Sequence, residues 1–133
     1  MIVIDTHIWI WWVHGHTDLK PWMRDLLLKH ESSGIGISVI SCWEIARLVA
    51  DSKLDLNRPV ASWFGYAFDY PGVQLLDLSP GISIDANQLP GEIHKDPADR
   101  IIIATARVFG CELLTADQKI LNYSGVKSAK AAE

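Results

Sequence analysis

Four acidic side chains of this 133-residue chain lie beside short apolar runs, at spacings that suit a shared site. Asp5, Glu44 and Asp117 each follow such a run within a few residues, and Asp99 opens a helical pattern that leads into the last run. Carboxylates gathered without matching Lys or Arg repel one another, and a hard divalent cation relieves that repulsion. Mg²⁺ and Mn²⁺ prefer oxygen ligands, activate water and stabilise the oxygens of an in-line phosphodiester displacement. The spacing therefore predicts a site for one or two such ions that acts on phosphodiester bonds.

Helix capping is the simpler alternative, because each of these acids also stands where a helix is expected to begin. Asp5-Thr6 and Asp117 suit N-caps, and Ser41-Cys-Trp-Glu44 fits the capping box, in which Glu reaches back to the backbone. Asp96-Pro-Ala-Asp99 is also a good helix start. Capping alone does not favour an acid over Ser, Thr or Asn. It also does not favour one particular edge of a sheet. A shared site therefore explains the four acids better.

The order of the apolar patterns predicts an α/β domain. Strands are predicted at residues 2–4, 35–40, 73–78 and 111–115, with a minor fifth near Val126. Helices are predicted at about residues 6–13, 21–32, 41–50, 58–71, 80–89 and 96–109, with a short one after Asp117. Strands that alternate with helices pair in parallel, and ligands of such sheets bind beyond the carboxyl ends of the strands. The four acids are therefore expected around one crevice.

Composition excludes several classes of protein. A hydrophobic content of 49% rules out a disordered chain. No apolar run approaches the roughly 20 residues of a spanning helix, and the start lacks the regions of a signal peptide, so a cytoplasmic protein is expected. The net charge of −4 is unlike that of a passive nucleic-acid binder, so any nucleic-acid contact is expected to be local or cation-assisted. Cys42 and Cys111 are interpreted as buried free thiols.

Four motifs surround the acids. They are Val-Ile-Asp5-Thr6-His7, Ser41-Cys-Trp-Glu44, His94-Lys-Asp96-Pro-Ala-Asp99-Arg100-Ile-Ile-Ile-Ala-Thr-Ala and Leu-Leu-Thr115-Ala-Asp117. Together they resemble the PIN domain family and, more narrowly, the VapC-type toxins of bacterial toxin–antitoxin pairs. The resemblance covers residues 1–126 as one domain and leaves 127–133 as a disordered tail. It implies a three-layer α/β fold with a central parallel sheet of order 3-2-1-4-5 flanked by helices.

The resemblance also implies an activity and the residues that perform it. The activity is that of a Mg²⁺- or Mn²⁺-dependent endoribonuclease whose catalytic and metal-binding acids are Asp5, Glu44, Asp99 and Asp117. Thr6 and Thr115 are supporting hydroxyls, and Asp96 is an accessory acid. Many relatives carry a further acid after the last motif, where this chain has Gln118, Lys119 and Asn122. A second metal ion is therefore expected to be weakly held.

Basic and aromatic residues suggest where partners would bind. Arg47, Lys95, Arg100 and Lys119 are candidates for RNA contact, with a merely solvated face as the alternative for each. Trp9, Trp12 and Trp43 fit core faces, but six tryptophans exceed what one small core can hold. Trp11, Trp12 and Trp22 are therefore candidates for a partner surface that takes an antitoxin segment. A two-fold homodimer is also expected.

Two other functions stay open at this point. A receiver-type phosphoacceptor signalling module is also a small α/β domain with acids at strand ends, although only Asp77 near the third strand suits it. A catalytically silent PIN-fold binding module is the second alternative, and the full set of four acids disfavours it. The pair His14-Gly-His16 does not make a zinc site by itself.

Overall fold

The computed structural model of the chain describes residues 1–93 and 95–131. Its strands are β1 (Ile2–Ile4), β2 (Ile35–Ser38), β3 (Val73–Leu76) and β4 (Leu113–Leu114). Its helices are α1 (Thr6–His14), α2 (Pro21–Lys29), α3 (Val39–Ala50), α4 (Val60–Phe68), α5 (Pro80–Asn87), α6 (Pro97–Phe109) and α7 (Gln118–Leu121). No helix within these described ranges is long and apolar enough to cross a membrane.

The four strands form one parallel sheet in the order β3-β2-β1-β4. In the central strand β1, Val3 pairs with Gly36 on one side and with Leu113 on the other. The predicted α/β class and the order of its first four strands are confirmed. A receiver-type domain places its first strand between the second and the third, in the order 2-1-3-4-5. The receiver interpretation is therefore wrong.

The predicted fifth strand at Val126 is wrong in its position. Val126 packs its side chain into the core, and the pairing with β4 comes two residues later, as a single parallel bridge between Leu113 and Ser128. The backbone of Leu113 donates to Lys127 and accepts from Ala129. Ala129 is buried, so the tail expected from residue 127 begins with a packed segment. Ala132 and Glu133 lie outside the described residues.

Helices cover both faces of the sheet, which makes three layers. Ile2 and Ile4 face a cluster that includes Trp9 and Trp63, while Val3 faces a second cluster with Ile103. Alternate residues of a strand point to opposite faces, and the continuous apolar run of β1 is buried on both. The sheet thus holds the chain that follows β1 and β4 in a fixed position.

Two expectations about individual side chains need correction. Trp43 is not a core residue: its side chain points outward from α3 and is 54% exposed. Cys42 and Cys111 are free thiols, as expected, but both are half buried.

Candidate active site

The carboxyl ends of β1 and β4 bring Asp5 and Thr115 together. Each residue directly follows its strand, and Thr115 Oγ1 donates to Asp5 Oδ2 at 2.6 Å. The backbone N–H of Asp117 donates in turn to Thr115 Oγ1 at 3.0 Å. Asp5 occupies the N-cap position of α1, but its side chain makes no capping hydrogen bond. The capping interpretation is therefore wrong for Asp5, whose carboxylate faces the other acids.

Glu44 lies on α3 and is linked to the same site by the hydroxyl groups of Thr6 and Ser41. This helix begins at Val39 and is capped by Ser38, whose Oγ accepts from the backbone of Ile40. Because the helix starts two residues earlier than predicted, Glu44 lies in its second turn. The capping-box interpretation of Ser41-Cys-Trp-Glu44 is wrong for this reason.

The hydroxyl of Thr6 lies between Ser41 and Glu44. Thr6 Oγ1 donates to Glu44 Oε1 at 2.6 Å and lies 2.8 Å from Ser41 Oγ. Because Thr6 has one hydroxyl proton, Ser41 donates to Thr6. Ser41 is fully buried and was missed as a site residue. The signal for it was its spacing, since residues three apart on a helix share a face.

Asp96 and Asp117 do cap helices, as the alternative interpretation expected. Asp96 Oδ1 accepts from the backbone N–H groups of Ala98 and Asp99 at the start of α6. Asp117 Oδ1 accepts from Lys119 and Ile120 at the start of α7. Each cap uses Oδ1, so capping leaves the second carboxylate oxygen for a ligand.

The acids are close enough to raise one another's pKa. Burial raises the pKa of Asp99 to about 7, with further contributions from the negative charges of Asp5, Asp96, Glu44 and Asp117. Burial also raises the pKa of Asp5, and the hydrogen bond that Thr115 donates partly offsets this rise. Burial likewise raises the pKa of Glu44, and the hydrogen bond from Thr6 partly offsets it. The acidic cluster, defined as these five residues, therefore gathers negative charge from four separate segments of the chain.

The chemistry of this donor set suits a hard divalent cation. Across residues 1–93 and 95–131, no three His, Cys, Asp or Glu side chains converge closely enough to form a ready-made metal site. All five donors of the acidic cluster are nevertheless carboxylates, and their mutual repulsion is the kind that Mg²⁺ or Mn²⁺ relieves. Asp5, Glu44, Asp99 and Asp117, with Asp96 beside them, are the side chains that would have to close around such an ion.

One cleft is lined by two acids of the cluster, and a second is lined by cations that lie within two residues of cluster acids in sequence. The lysine cleft, of about 740 Å³, is lined by Lys95, Arg100 and Lys119, so it unites three of the four predicted RNA contacts. The tryptophan cleft, of about 450 Å³, is lined by Trp43, Arg47, Glu44 and Asp96. Lys95 and Asp96 are neighbours in sequence, so the segment just before α6 contributes to the lining of both clefts.

The three tryptophans predicted to form a partner surface are all half buried. Trp12 meets Tyr70 edge to face at 5.0 Å between ring centroids, and Trp11 stacks beside His16. Trp22 lines a third cleft with Lys20 and Thr115. Their role in binding a partner stays a prediction.

Fold and site together define an α/β domain with an acidic site at the carboxyl edge of a parallel sheet. The chain belongs to the PIN domain family, whose model matches residues 2–126. It is 28% identical over 122 residues to Ribonuclease VapC22 of Mycobacterium tuberculosis. The aligned region covers 92% of this chain and 91% of that protein. The resemblance inferred from the motifs is thereby confirmed.

Solved structures share the fold. VapBC2 from Rickettsia felis, bound to a DNA fragment from its promoter, matches with a TM-score of 0.71 at 19% identity, covering 99% of this chain and all of that chain. DNA-bound VapBC from Salmonella typhimurium matches with a TM-score of 0.69 at 18% identity, over 96% of each chain. At these identities the likeness concerns the fold alone.

Proposed function

We propose that this chain is a VapC-type endoribonuclease that hydrolyses RNA phosphodiester bonds with the help of Mg²⁺ or Mn²⁺. The observation that carries the proposal is the gathering of carboxylates at the carboxyl edge of the sheet, where burial and the charges of Asp5, Asp96, Glu44 and Asp117 together raise the pKa of Asp99 to about 7. Helix capping explains Asp96 and Asp117, but neither Asp5 nor Glu44 caps a helix. The relative from Mycobacterium tuberculosis, which is named a ribonuclease, supports the same activity here.

The acidic cluster supplies the ligands in this proposal. Asp5, Glu44, Asp99 and Asp117 hold one or two ions, and the second is weakly held because Gln118 replaces a further acid. Bound Mg²⁺ or Mn²⁺ supplies Lewis-acid stabilisation and an activated water for in-line hydrolysis. The reaction gives ends with a 5′-phosphate and a 3′-hydroxyl.

Three hydroxyls position the acids. Thr115 holds one oxygen of Asp5, and Thr6 holds one oxygen of Glu44, with Ser41 donating to Thr6. These contacts fix the carboxylates in one rotamer before substrate arrives. Ligands that are already positioned lower the free-energy cost of assembling a metal site, because less side-chain conformational entropy is lost on binding.

Cations of the lysine cleft hold the substrate in this proposal. Lys95, Arg100 and Lys119 contact RNA phosphates on one side of the acidic cluster, and Arg47 does so on the other. Phosphate contacts position a nucleic acid without reading its sequence. The net charge of −4 makes these local cations and the metal ion the attractive part of the surface.

The biological role that we propose is that of a toxin with a cognate antitoxin, acting in the cytoplasm as a homodimer. Support comes from the structural relatives, which include a toxin–antitoxin complex from Klebsiella pneumoniae. Trp11, Trp12 and Trp22 are the proposed antitoxin surface. Co-expression with the product of an adjacent short reading frame is expected to yield an inactive complex. Cleavage that proceeds unchanged in such a complex would contradict the toxin role.

Cleavage of single-stranded RNA by the purified chain tests the activity. Products are expected with Mg²⁺ or Mn²⁺ and not with EDTA. Asp99→Asn is expected to abolish cleavage, whereas Asp25→Asn, which changes an exposed acid of α2, is expected to leave it intact. A wild-type chain that binds RNA but does not cleave it with either ion would favour the silent binding module.

A further inference from the structure

The tryptophan cleft carries features that metal binding does not use. Glu44 and Asp96 belong both to its lining and to the acidic cluster. Ile40, Leu48 and Pro97 add apolar surface to the same lining. Its volume of about 450 Å³ falls within the range of about 300–1,000 Å³ that is typical of small-ligand sites.

Trp43 and Arg47 present two planar groups in this cleft. Trp43 is 54% exposed, which is unusual for the largest apolar side chain in a small domain. Arg47 Cζ lies 5.3 Å from the centroid of the Trp43 ring, so the guanidinium covers part of the indole. Unpaired RNA bases stack on aromatic rings and on guanidinium planes.

We propose that the tryptophan cleft binds one unpaired nucleobase of the RNA, next to the phosphate that the acidic cluster acts on. This inference rests on the proposed function and deepens it. The base stacks on Trp43, with Arg47 beside it. Asp51 and Lys53 also line the cleft. Asp51 accepts a hydrogen bond from the polar edge of the base, and Lys53 donates one to it. The cleft thereby makes cleavage depend on the base at one position.

Continuity with the acidic cluster favours a nucleobase over a protein segment. A base placed in the cleft has its own phosphate within reach of Glu44 and Asp96, because these side chains line both places. Charged side chains also interrupt the apolar lining: Arg47 Nε lies 3.8 Å from Asp51 Oδ2, and Lys53 lines the same cleft. The core of a protein–protein interface is depleted of charge, whereas base recognition needs donors and acceptors around an aromatic platform.

The four neutral nucleosides test the site without any cleavage. Adenosine, guanosine, cytidine and uridine carry no phosphate, so their binding depends neither on metal nor on the acidic charge. At least one is expected to shift the indole N–H signal of Trp43 in NMR spectra of the whole chain. Trp43→Phe assigns that signal by removing it. The other tryptophan signals are expected to stay in place.

Kinetics on RNA test the consequence for the reaction. Trp43→Ala is expected to lower kcat/KM about 5- to 100-fold, and Trp43→Phe to retain most of it, because a ring still stacks on the base. Tyr66→Ala is the matched control. Tyr66 is also exposed and also lies under an arginine, Arg58, at 4.7 Å, but it does not line the cleft. It is expected to keep wild-type kinetics.

The outcomes separate this site from the activity. If nucleosides move the Trp43 signal while no RNA is cleaved, the proposed function fails and the nucleobase site stands. If RNA is cleaved equally by wild type and Trp43→Ala and no nucleoside moves the signal, the nucleobase site is refuted and the activity stands. If the Trp43 signal moves with protein concentration alone, the cleft binds a second copy of the chain, and the nucleobase site is again refuted.

Discussion

Thr115 donates its hydroxyl proton to Asp5 across 2.6 Å, although 110 positions separate the two residues in sequence. The contact joins the ends of β1 and β4, which are neighbours in the sheet. Because the same hydroxyl oxygen accepts from the backbone of Asp117, one threonine fixes two acids of the cluster. The positions of Asp5 and Thr115 are thus set by the two neighbouring strands that they follow.

Replacement of Thr115 by Val tests this positioning role. The change removes the donor to Asp5 and the acceptor for Asp117, both in a buried setting. We expect cleavage to fall about 10- to 100-fold and the free energy of unfolding to fall by about 1–3 kcal/mol. Thr105→Val is the matched control, because Thr105 is equally buried but donates only to a carbonyl of its own helix. Equal cleavage by the two variants would show that the Thr115 hydroxyl positions nothing.

The acidic cluster predicts how stability depends on pH in the presence of EDTA. The folded pKa of Asp99 is about 7, above its ordinary value of 3.8, so the folded state binds this proton more tightly than the unfolded state. Stability is then lost as pH rises from about 4 to about 7. The raised pKa values of Asp5 and Glu44 act in the same direction.

The Asp99→Asn variant isolates the contribution of the Asp99 carboxylate to the pH dependence of stability. At pH 8 in EDTA the variant is expected to be more stable than wild type by on the order of 1 kcal/mol, since solvent screens a half-exposed carboxylate. The advantage is expected to shrink towards pH 4, and Asp25→Asn should follow the wild-type curve. Thermal melting across this range measures the difference. An advantage that does not grow with pH would mean that neither burial nor the other acids raise the pKa of Asp99.

The lysine cleft predicts a salt-dependent component of RNA binding. In the inactive Asp99→Asn background, Lys95→Ala and Lys119→Ala are each expected to weaken binding of single-stranded RNA. Each should reduce the slope of log K against log salt by about 0.7, the value for one lost phosphate contact. Lys29→Ala, on α2 and away from the cleft, is the control. Unchanged slopes for both cleft variants would place the RNA elsewhere.

The sequence predicted that Asp5, Glu44, Asp99 and Asp117 lie near one another, because the ends of buried parallel strands meet at one edge of the sheet. In the structure the charges of the other three act on Asp99, and the role of all four as site residues stays a prediction. The ends of the surrounding elements were predicted less accurately. The boundary of β2 was missed by two residues, because Val39 and Ile40 continue its apolar run. Only the hydroxyl of Ser38, which caps α3, shows where the helix begins.

Side-chain direction on a helix was the part that sequence alone could not fix. Trp43 was assigned to the core because large aromatics are usually buried, yet neighbouring Cys42 and Glu44 face inward more than it does. Lys95, Arg100 and Lys119 were predicted as RNA contacts, but sequence alone could not place them around one cleft, because they come from a loop, α6 and α7. Only the packing of these segments brings them around one cleft.

The rate of RNA cleavage against Mg²⁺ concentration, compared between wild type and Asp5→Asn, tests the central claim most directly. We predict that the wild-type rate rises from zero in EDTA to a plateau. Asp5→Asn should stay at least 100-fold slower at every concentration, although it remains folded and melts no lower than wild type in EDTA. Cleavage by wild type that persists in EDTA, or cleavage by Asp5→Asn that matches wild type, would contradict the claim that the acidic cluster works through a bound divalent ion.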